Sequence, residues 1–331
     1  VHWGWLIRYL HALGPTGLFF AIYVHMGRGL YYGSYRSPRE LLWWIGLLIF
    51  LSFMAEAFMG YLLPWGQMSF WGATVITNLF TAIPVIGPEL TIWLRGDFAV
   101  GDATLTRFFS LHATFIPIGV IGLLVVMHLT ALHRVGSNNP DGVDLDKTGP
   151  DVVPFAPYYI TKDLWFAALV FTVFLYFVFF RPDFFLEPVN NEPANPLKTP
   201  LHIVPEWYFL PFYAVLRSIP SKLAGVVAMA ASILILALLP YLDRSAARSA
   251  RYRPVKKALT WVFFADFVLL GYAGMHPPDV VSFIGIRIVT LGRVLTAYYF
   301  LYFLTMPLVS AVEPVSARLR ASAYFAGRER R

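Results

Sequence analysis

Residues 7–30 read IRYLHALGPTGLFFAIYVHMGRGL. This is an apolar segment long enough to cross a bilayer, whose ~30 Å hydrocarbon core needs about 20 apolar residues per helix. Two histidines, His11 and His25, stand fourteen residues apart in it, and Arg8 and Arg28 each lie three residues outward of one of them. At 3.6 residues per turn, fourteen residues return to within about 40° of whole turns, so both histidines share one helix face. At 1.5 Å per residue they sit ~21 Å apart along the axis. Ionisable groups at membrane depth are costly and usually functional.

Six further apolar stretches follow, giving seven expected spans near residues 13–32, 41–63, 112–132, 164–180, 222–241, 258–275 and 284–310. The composition agrees. Of 331 residues 58% are hydrophobic, 17% aromatic and only 14% charged, against ~25% charged in soluble domains. The expected fold is all-α, a polytopic transmembrane helical bundle. The chain has no cysteine, which excludes disulfides, thiolate-held iron–sulfur clusters and cysteine zinc sites within it. The net charge of +7 reads as inner-side loops and not as a nucleic-acid surface. Arg244, Arg248, Arg251, Arg253, Lys256 and Lys257 follow the fifth span with one acid, Asp243. Arg28, Arg36 and Arg39 close the first, and Arg318, Arg320, Arg328, Arg330 and Arg331 form the tail. All three groups share a side if the spans alternate, and the positive-inside rule makes that side the inner one. The acidic loop 141–151 breaks the pattern. The same orientation puts Val1 outside with no secretory signal ahead of it, so an upstream spanning segment is expected.

Two connections are too long and apolar to be plain loops. Residues 64–107 read as a helical hairpin at the outer surface. The stretch 181–220 begins Pro-rich over 182–200, dividing the chain into 1–180 and 181–331, and ends in an apolar run from Pro205 to Leu216 expected as a short helix dipping into the interface. Non-helical backbone at that depth must be shielded or line a cavity.

A third span carries His112 and His128. Two helices with two inward histidines each can clamp two flat ligands stacked across the membrane, and histidine is an axial ligand of heme iron. The plainer alternative is four isolated histidines satisfied by neighbouring helices. Arg8 and Arg28 suit anionic propionates or equally snorkel to the interface. Gly46 and Gly60, again fourteen apart, admit a flat ring to the backbone or serve helix packing. Glu206, a carboxylate in an apolar segment, suits a proton acceptor or a surface position. His133 and Asp163, at the end of one span and the start of the next, could hold a quinone's oxygens. They fit equally a helix-dipole histidine and an N-terminal aspartate.

The chain resembles the cytochrome b family of cytochrome bc complexes nearly end to end. The resemblance is carried by IRYLHA (7–12), HMGRGLYYGSY (25–35), GYLLPWGQMSFWGATVITN (60–78), RFFSLH (107–112), LHRVGSNNP (132–140), PYYITKD (157–163), ANPLKTPLHIVPEWYFLPFYAVLRSIP (194–220) and ADFVLLGY (265–272). The unbroken join between the halves is similar to the mitochondrial and bacterial form. The resemblance implies two b-type hemes with bis-histidine ligation: His11 with His112 on a low-potential heme near the outer side, and His25 with His128 on a high-potential heme near the inner side. It implies that Arg8, Arg28 and Ser34 hold propionates and that Gly46 and Gly60 make room for the hemes. Pro205, Glu206, Tyr208, Tyr213, Phe58, Tyr61 and Gly72 would line the quinol-oxidation pocket. His133, Ser137, Phe155, Lys162 and Asp163 would form the quinone-reduction pocket. The implied catalytic groups are Glu206, Tyr213, His133 and Asp163.

Two departures from the family pattern stand out. Its first spanning helix is not represented. Its second histidine pair is spaced by fourteen or fifteen, whereas His112 and His128 are sixteen apart, about 160° out of phase on a regular helix. The spacing predicts a helix distorted near Pro117, with π-bulges absorbing the extra residues.

The implied function is quinol:cytochrome c oxidoreduction by a Q cycle: ubiquinol oxidised outside, electrons passed inward to reduce quinone, protons translocated. The implied partners are a Rieske iron–sulfur protein, a cytochrome c-type heme subunit, a second copy of the chain, accessory subunits and lipid. The location is the mitochondrial inner membrane or a bacterial plasma membrane. A diheme anchor of another quinone oxidoreductase would share the histidines without a reason for PEWY. A transporter would use them as proton relays.

Overall fold

In the computed structural model, residues 1–142, 149 and 152–314 are described. They fold into helices joined by loops, with two isolated β-bridges, Gly66–Pro193 and Val281–Arg287, as the extended pairings among them. The tail arginines Arg318 to Arg331 lie outside the described residues.

Helix α1 spans Gly4–Tyr32 and α2 spans Glu40–Leu62. The expected hairpin over 64–107 is present as α3 (Gln67–Leu79) and α4 (Gly87–Arg95). The third span is one rod in three parts: α5 (Asp102–Ser110), a π-helix over Leu111–Gly122, and α6 (Leu123–Val135). Helix α7 covers Ile160–Phe180, preceded by a π turn at Phe155–Tyr159. The PEWY segment turns through Trp207–Phe209 into α8 (Leu210–Ser218). Then come α9 (Lys222–Leu242), α10 (Pro254–Met275), α11 (Ile288–Leu304) and α12 (Met306–Val312).

Among the described residues, five helical segments are long and apolar enough to cross a membrane by themselves: 40–62, 102–135, 155–180, 222–242 and 254–275. Helices α11 and α12 are long and apolar enough only as a pair, bent by 51° where Pro307 has no N–H to continue the ladder. The expected seventh is α1. Its 29 residues reach roughly 43 Å, and its histidines and arginines lower its apolarity. It starts nine residues before the expected Leu13, the histidine-bearing turn belonging to the same rod.

Helices α8 to α11 pack on one another, α2 packs on the third span, and α1 and α2 join these groups by contacts with α10 and α9. One core therefore runs through both halves, from Phe19, Leu47 and Phe50 to Phe212, Leu239, Leu270 and Phe303. The join has a specific cause at α9. Pro240 cannot donate to the carbonyl one turn back, and the Trp43 indole donates to that Leu236 oxygen at 2.8 Å, with Trp44 on Ala237 at 2.9 Å. The Pro-rich divider folds back on the outer hairpin. Ser69 N donates to Asn190 Oδ1 at 2.8 Å, and Gln67 bonds both Lys198 O at 2.9 Å and Asn195 N at 2.8 Å.

Charges of the basic loop after α9 are paired and sealed in. Arg253, Lys256 and Asp243 have fully buried side chains. Arg253 pairs with Asp243 at 2.7 Å and Glu313 at 2.9 Å, Lys256 pairs with Asp243 at 2.7 Å, and Tyr35 also donates to Asp243. These charges are mutually neutralised because Glu313, distant in sequence, comes back to them. Most of the acidic loop 141–151 lies outside the described residues; at its start Asp141 pairs with Arg251 at 2.7 Å.

Candidate functional site

The four histidines meet in two pairs. The rings of His11 and His112 have centres 5.9 Å apart and planes at 88°, and those of His25 and His128 are 6.4 Å apart at 67°. Metal–imidazole bonds are about 2.0–2.1 Å, so two rings on one metal have centres roughly 6 Å apart. Both separations fit one metal between each pair. The sixteen-residue spacing is accommodated by the π-helix Leu111–Gly122, which contains Pro117. Each i→i+5 turn takes up one residue more than an α turn. The expectation of a distortion near Pro117 holds, and it is a continuous π-helix of twelve residues instead of separate bulges.

The α2 glycines lie under the same rings. A Cβ at Gly46 would come within 3.0 Å of His128, and one at Gly60 would collide with His112. Next to the inner pair is a cavity of about 360 Å³, walled by His25, His128, Gly46 and Phe50. Its polar end holds Arg28 and Ser34, the expected propionate partners, together with Ser137. It also holds Arg39 and Asn138, which sequence reasoning had not singled out. Arg39 is buried and donates to Gly136 O at 3.0 Å and Ser137 O at 3.1 Å. Asn138 donates to Tyr32 O at 2.9 Å and Ser34 Oγ at 3.1 Å, while its own Oδ1 is buried without a partner. At the other end Arg8 is exposed.

The PEWY segment is fixed to α1. Trp207 Nε1 donates to Thr16 Oγ1 at 3.1 Å, Tyr23 donates to Tyr208 O, and the Tyr208 ring stacks on Phe19 at 4.1 Å. The Tyr208 ring is thus part of the core and anchors the segment. Glu206 is left beside Tyr61, whose hydroxyl donates to it. Burial pushes the Glu206 carboxyl up, Glu187 adds to this, the Tyr61 hydrogen bond opposes it, and the result is about 7. Phe58 packs against Phe108 with ring centres 5.6 Å apart, Gly72 borders open space, and Tyr213 lies under the Arg217 guanidinium at 4.7 Å.

Residues 1–136 match the family described as Cytochrome b/b6/petB, and residues 193–318 match Cytochrome b(C-terminal)/b6/petD. The chain belongs to the cytochrome b family. It is 56% identical over 315 residues to cytochrome b of Rhodospirillum rubrum, covering 95% of this chain and 75% of that one. It is 53% identical over 314 residues to cytochrome b/c1 of Bradyrhizobium diazoefficiens, covering 95% of this chain and 44% of that one. A solved structure described as hyperthermophilic respiratory complex III superposes with a TM-score of 0.88 at 40% identity, over 95% of this chain and 80% of its counterpart. Membership makes the chain an integral membrane protein that binds b-type heme, and the paired rings, close-approach glycines and adjoining cavity suit that group.

The expected quinone-reduction residues are brought together less completely. Ser137 reaches the cavity. His133, Phe155, Lys162 and Asp163 are exposed; His133 Nδ1 turns to Leu129 O at 2.8 Å and Lys162 to the Tyr158 hydroxyl at 2.7 Å. Helix α7, which carries Asp163, touches α1 and otherwise faces outward. One site neighbour was overlooked although the sequence signalled it. Glu56 is a carboxylate inside the span 41–63, and its Oε1 lies 2.9 Å from His112 Nδ1.

Proposed function

We propose that the chain is the diheme cytochrome b of a quinol:cytochrome c oxidoreductase, with His11 and His112 holding the outer heme and His25 and His128 the inner one. The observation that carries this is the double pairing of rings at two levels of the same two helices, 5.9 and 6.4 Å apart. When bound, the hemes supply one-electron transfer across a distance too long for a single hop.

The chain's own residues do the rest. Arg28 and Ser34 receive propionates at the polar end of the inner cavity, and Arg8 does so at the outer heme. Gly46 and Gly60 clear the ring faces. Pro205, Tyr208 and the α1 contacts hold Glu206 at an outer pocket with Phe58, Tyr61, Gly72 and Tyr213. A carboxyl raised to about 7 is matched to taking a quinol proton near neutral pH and passing it outward. His133, Ser137, Phe155, Lys162 and Asp163 bind and protonate quinone on the inner side. The units 1–180 and 181–331 contribute the heme bundle and the PEWY loop.

With no cysteine in the chain, the iron–sulfur acceptor of the other quinol electron belongs to a Rieske partner. The Bradyrhizobium relative, named cytochrome b/c1, supports a c-type heme subunit beside it. Resemblance to the family adds a second copy of the chain and accessory subunits.

The test is a reduced-minus-oxidised visible spectrum of the purified complex with pyridine hemochrome quantification. Two b hemes per chain are expected. One heme means that a histidine pair is broken, and none returns the transporter reading. Retained hemes with no response to outer-quinone-site inhibitors favour the anchor.

A further inference from the structure

The outer histidine pair has a neighbour that the inner pair lacks. Glu56 and Gly60 lie one turn apart on α2, so they present to the same side. That side is His112: Gly60 lies under the ring and the Glu56 Oε1 is 2.9 Å from Nδ1, with the Glu56 backbone oxygen also at 2.9 Å. In a helix that backbone oxygen is already engaged by the amide four residues on, which leaves the side chain as the stronger acceptor. The Glu56 and His112 side chains are 14% and 17% exposed, and Glu56 Oε2 is buried without a partner. Among the described residues no Lys or Arg pairs with this carboxylate, and its sole ion-pair contact is the His112 ring.

A ring that turns Nε2 toward a metal carries its proton on Nδ1, so His112 donates and Glu56 accepts. Metal-ligating histidines that donate to a carboxylate are more basic ligands with a fixed orientation, and a more basic ligand favours the oxidised metal. The inner pair sits one fourteen-residue step earlier on α2. Gly46 replaces Gly60 there and Leu42 replaces Glu56, so that α2 position offers the His128 ring no carboxylate.

We propose that Glu56 is a positioning residue for His112, whose carboxylate accepts the Nδ1 proton and lowers the reduction potential of the outer heme relative to the inner one. This rests on the diheme reading above. The difference between Glu56 and Leu42 at equivalent α2 positions is then one contribution to the potential step between the hemes.

The experiment is a redox titration of both b hemes in the intact complex, native against Glu56→Gln. Gln keeps a neutral acceptor in place of the charge. The outer heme is expected to become easier to reduce, with its reduced-to-oxidised ratio at a fixed potential rising about tenfold, which is about 59 mV for one electron. The inner heme should not move, a selectivity that general loosening of the fold would not produce. Two hemes per chain with an unchanged outer potential overturn the proposal. If Glu56→Gln loses the outer heme, Glu56→Asp carries the test: a smaller rise supports the proposal, and no rise overturns it. Absence of the outer heme from the native complex defeats the diheme reading itself, a different result from any of these.

Discussion

At the scale of single residues, the sequence marks chemistry by placing polar groups where apolar ones belong. Glu206 was legible in this way, as an acid in an apolar run, and the structure adds why it matters. Burial raises it to about 7 against the pull of the Tyr61 hydroxyl. The sign is direct: below that value the carboxyl already carries a proton and cannot accept another, and above it the group is a base. The rate of quinol oxidation should therefore climb as pH rises through about 7 and then level off. In Glu206→Gln it should fall by roughly 10²-fold, the lower end for a lost general base, and lose that rise. Stopped-flow reduction of the hemes by quinol across pH 5.5–9 (an interval chosen to bracket the pKa) measures both, and an unchanged profile in Glu206→Gln rules Glu206 out as the acceptor. Glu56 carried the same signal and was passed over. Arg39 and Asn138 carried none, because their contacts depend on how the α1–α2 turn meets the loop at Gly136, which no local pattern encodes.

At the scale of elements, periodicity gave the helices and spacing gave the fault in one of them. Fourteen residues between His11 and His25 demand a regular helix. Sixteen between His112 and His128 forbid one, and the π-helix Leu111–Gly122 is the response. Its extent was not legible, since Pro117 marks where the ladder is weakened but not how far the strain spreads. If the two extra residues are what the π segment absorbs, removing Gly119 and Val120 should restore a fourteen-residue spacing on an α-helix. Heme content would then stay at two per chain by pyridine hemochrome, with both absorption bands retained. Loss of one heme from that deletion would mean that the π geometry is itself required. The fall of α12 away from α11 follows the same logic: Pro307 marks where the ladder breaks, but the size of the 51° bend is not written in it.

At the scale of the whole molecule, what sequence reading missed was the bond between the halves. It found the basic residues of the loop after α9 and read them as an inner-side charge cluster, without pairing them. Arg253, Lys256 and Asp243 are instead sealed in, tied to Tyr35 of the first half and Glu313 near the end of the described chain. Such pairing is invisible to local charge counting because its members are 35, 243, 253, 256 and 313 in order. Burial alone would raise the Asp243 carboxyl, but Lys256 and Arg253 outweigh it and hold the group well below the usual carboxylate range. A depressed acid stabilises the fold above its unfolded value, ~3.9, and that contribution is lost as pH falls below it. Asp243→Asn leaves two buried cations short of a partner, a change that costs about 3–5 kcal/mol. The complex should then lose its heme spectrum at a lower temperature than the native form at pH 7. Lys257→Ala, removing an exposed neighbour, should leave that temperature unchanged. The loss should shrink when Asp243→Asn is combined with Lys256→Met, because removing both partners strands less charge than removing one. Equal melting of native and Asp243→Asn forms would mean that the apolar core from Phe19 to Phe303 holds the halves together without the charges.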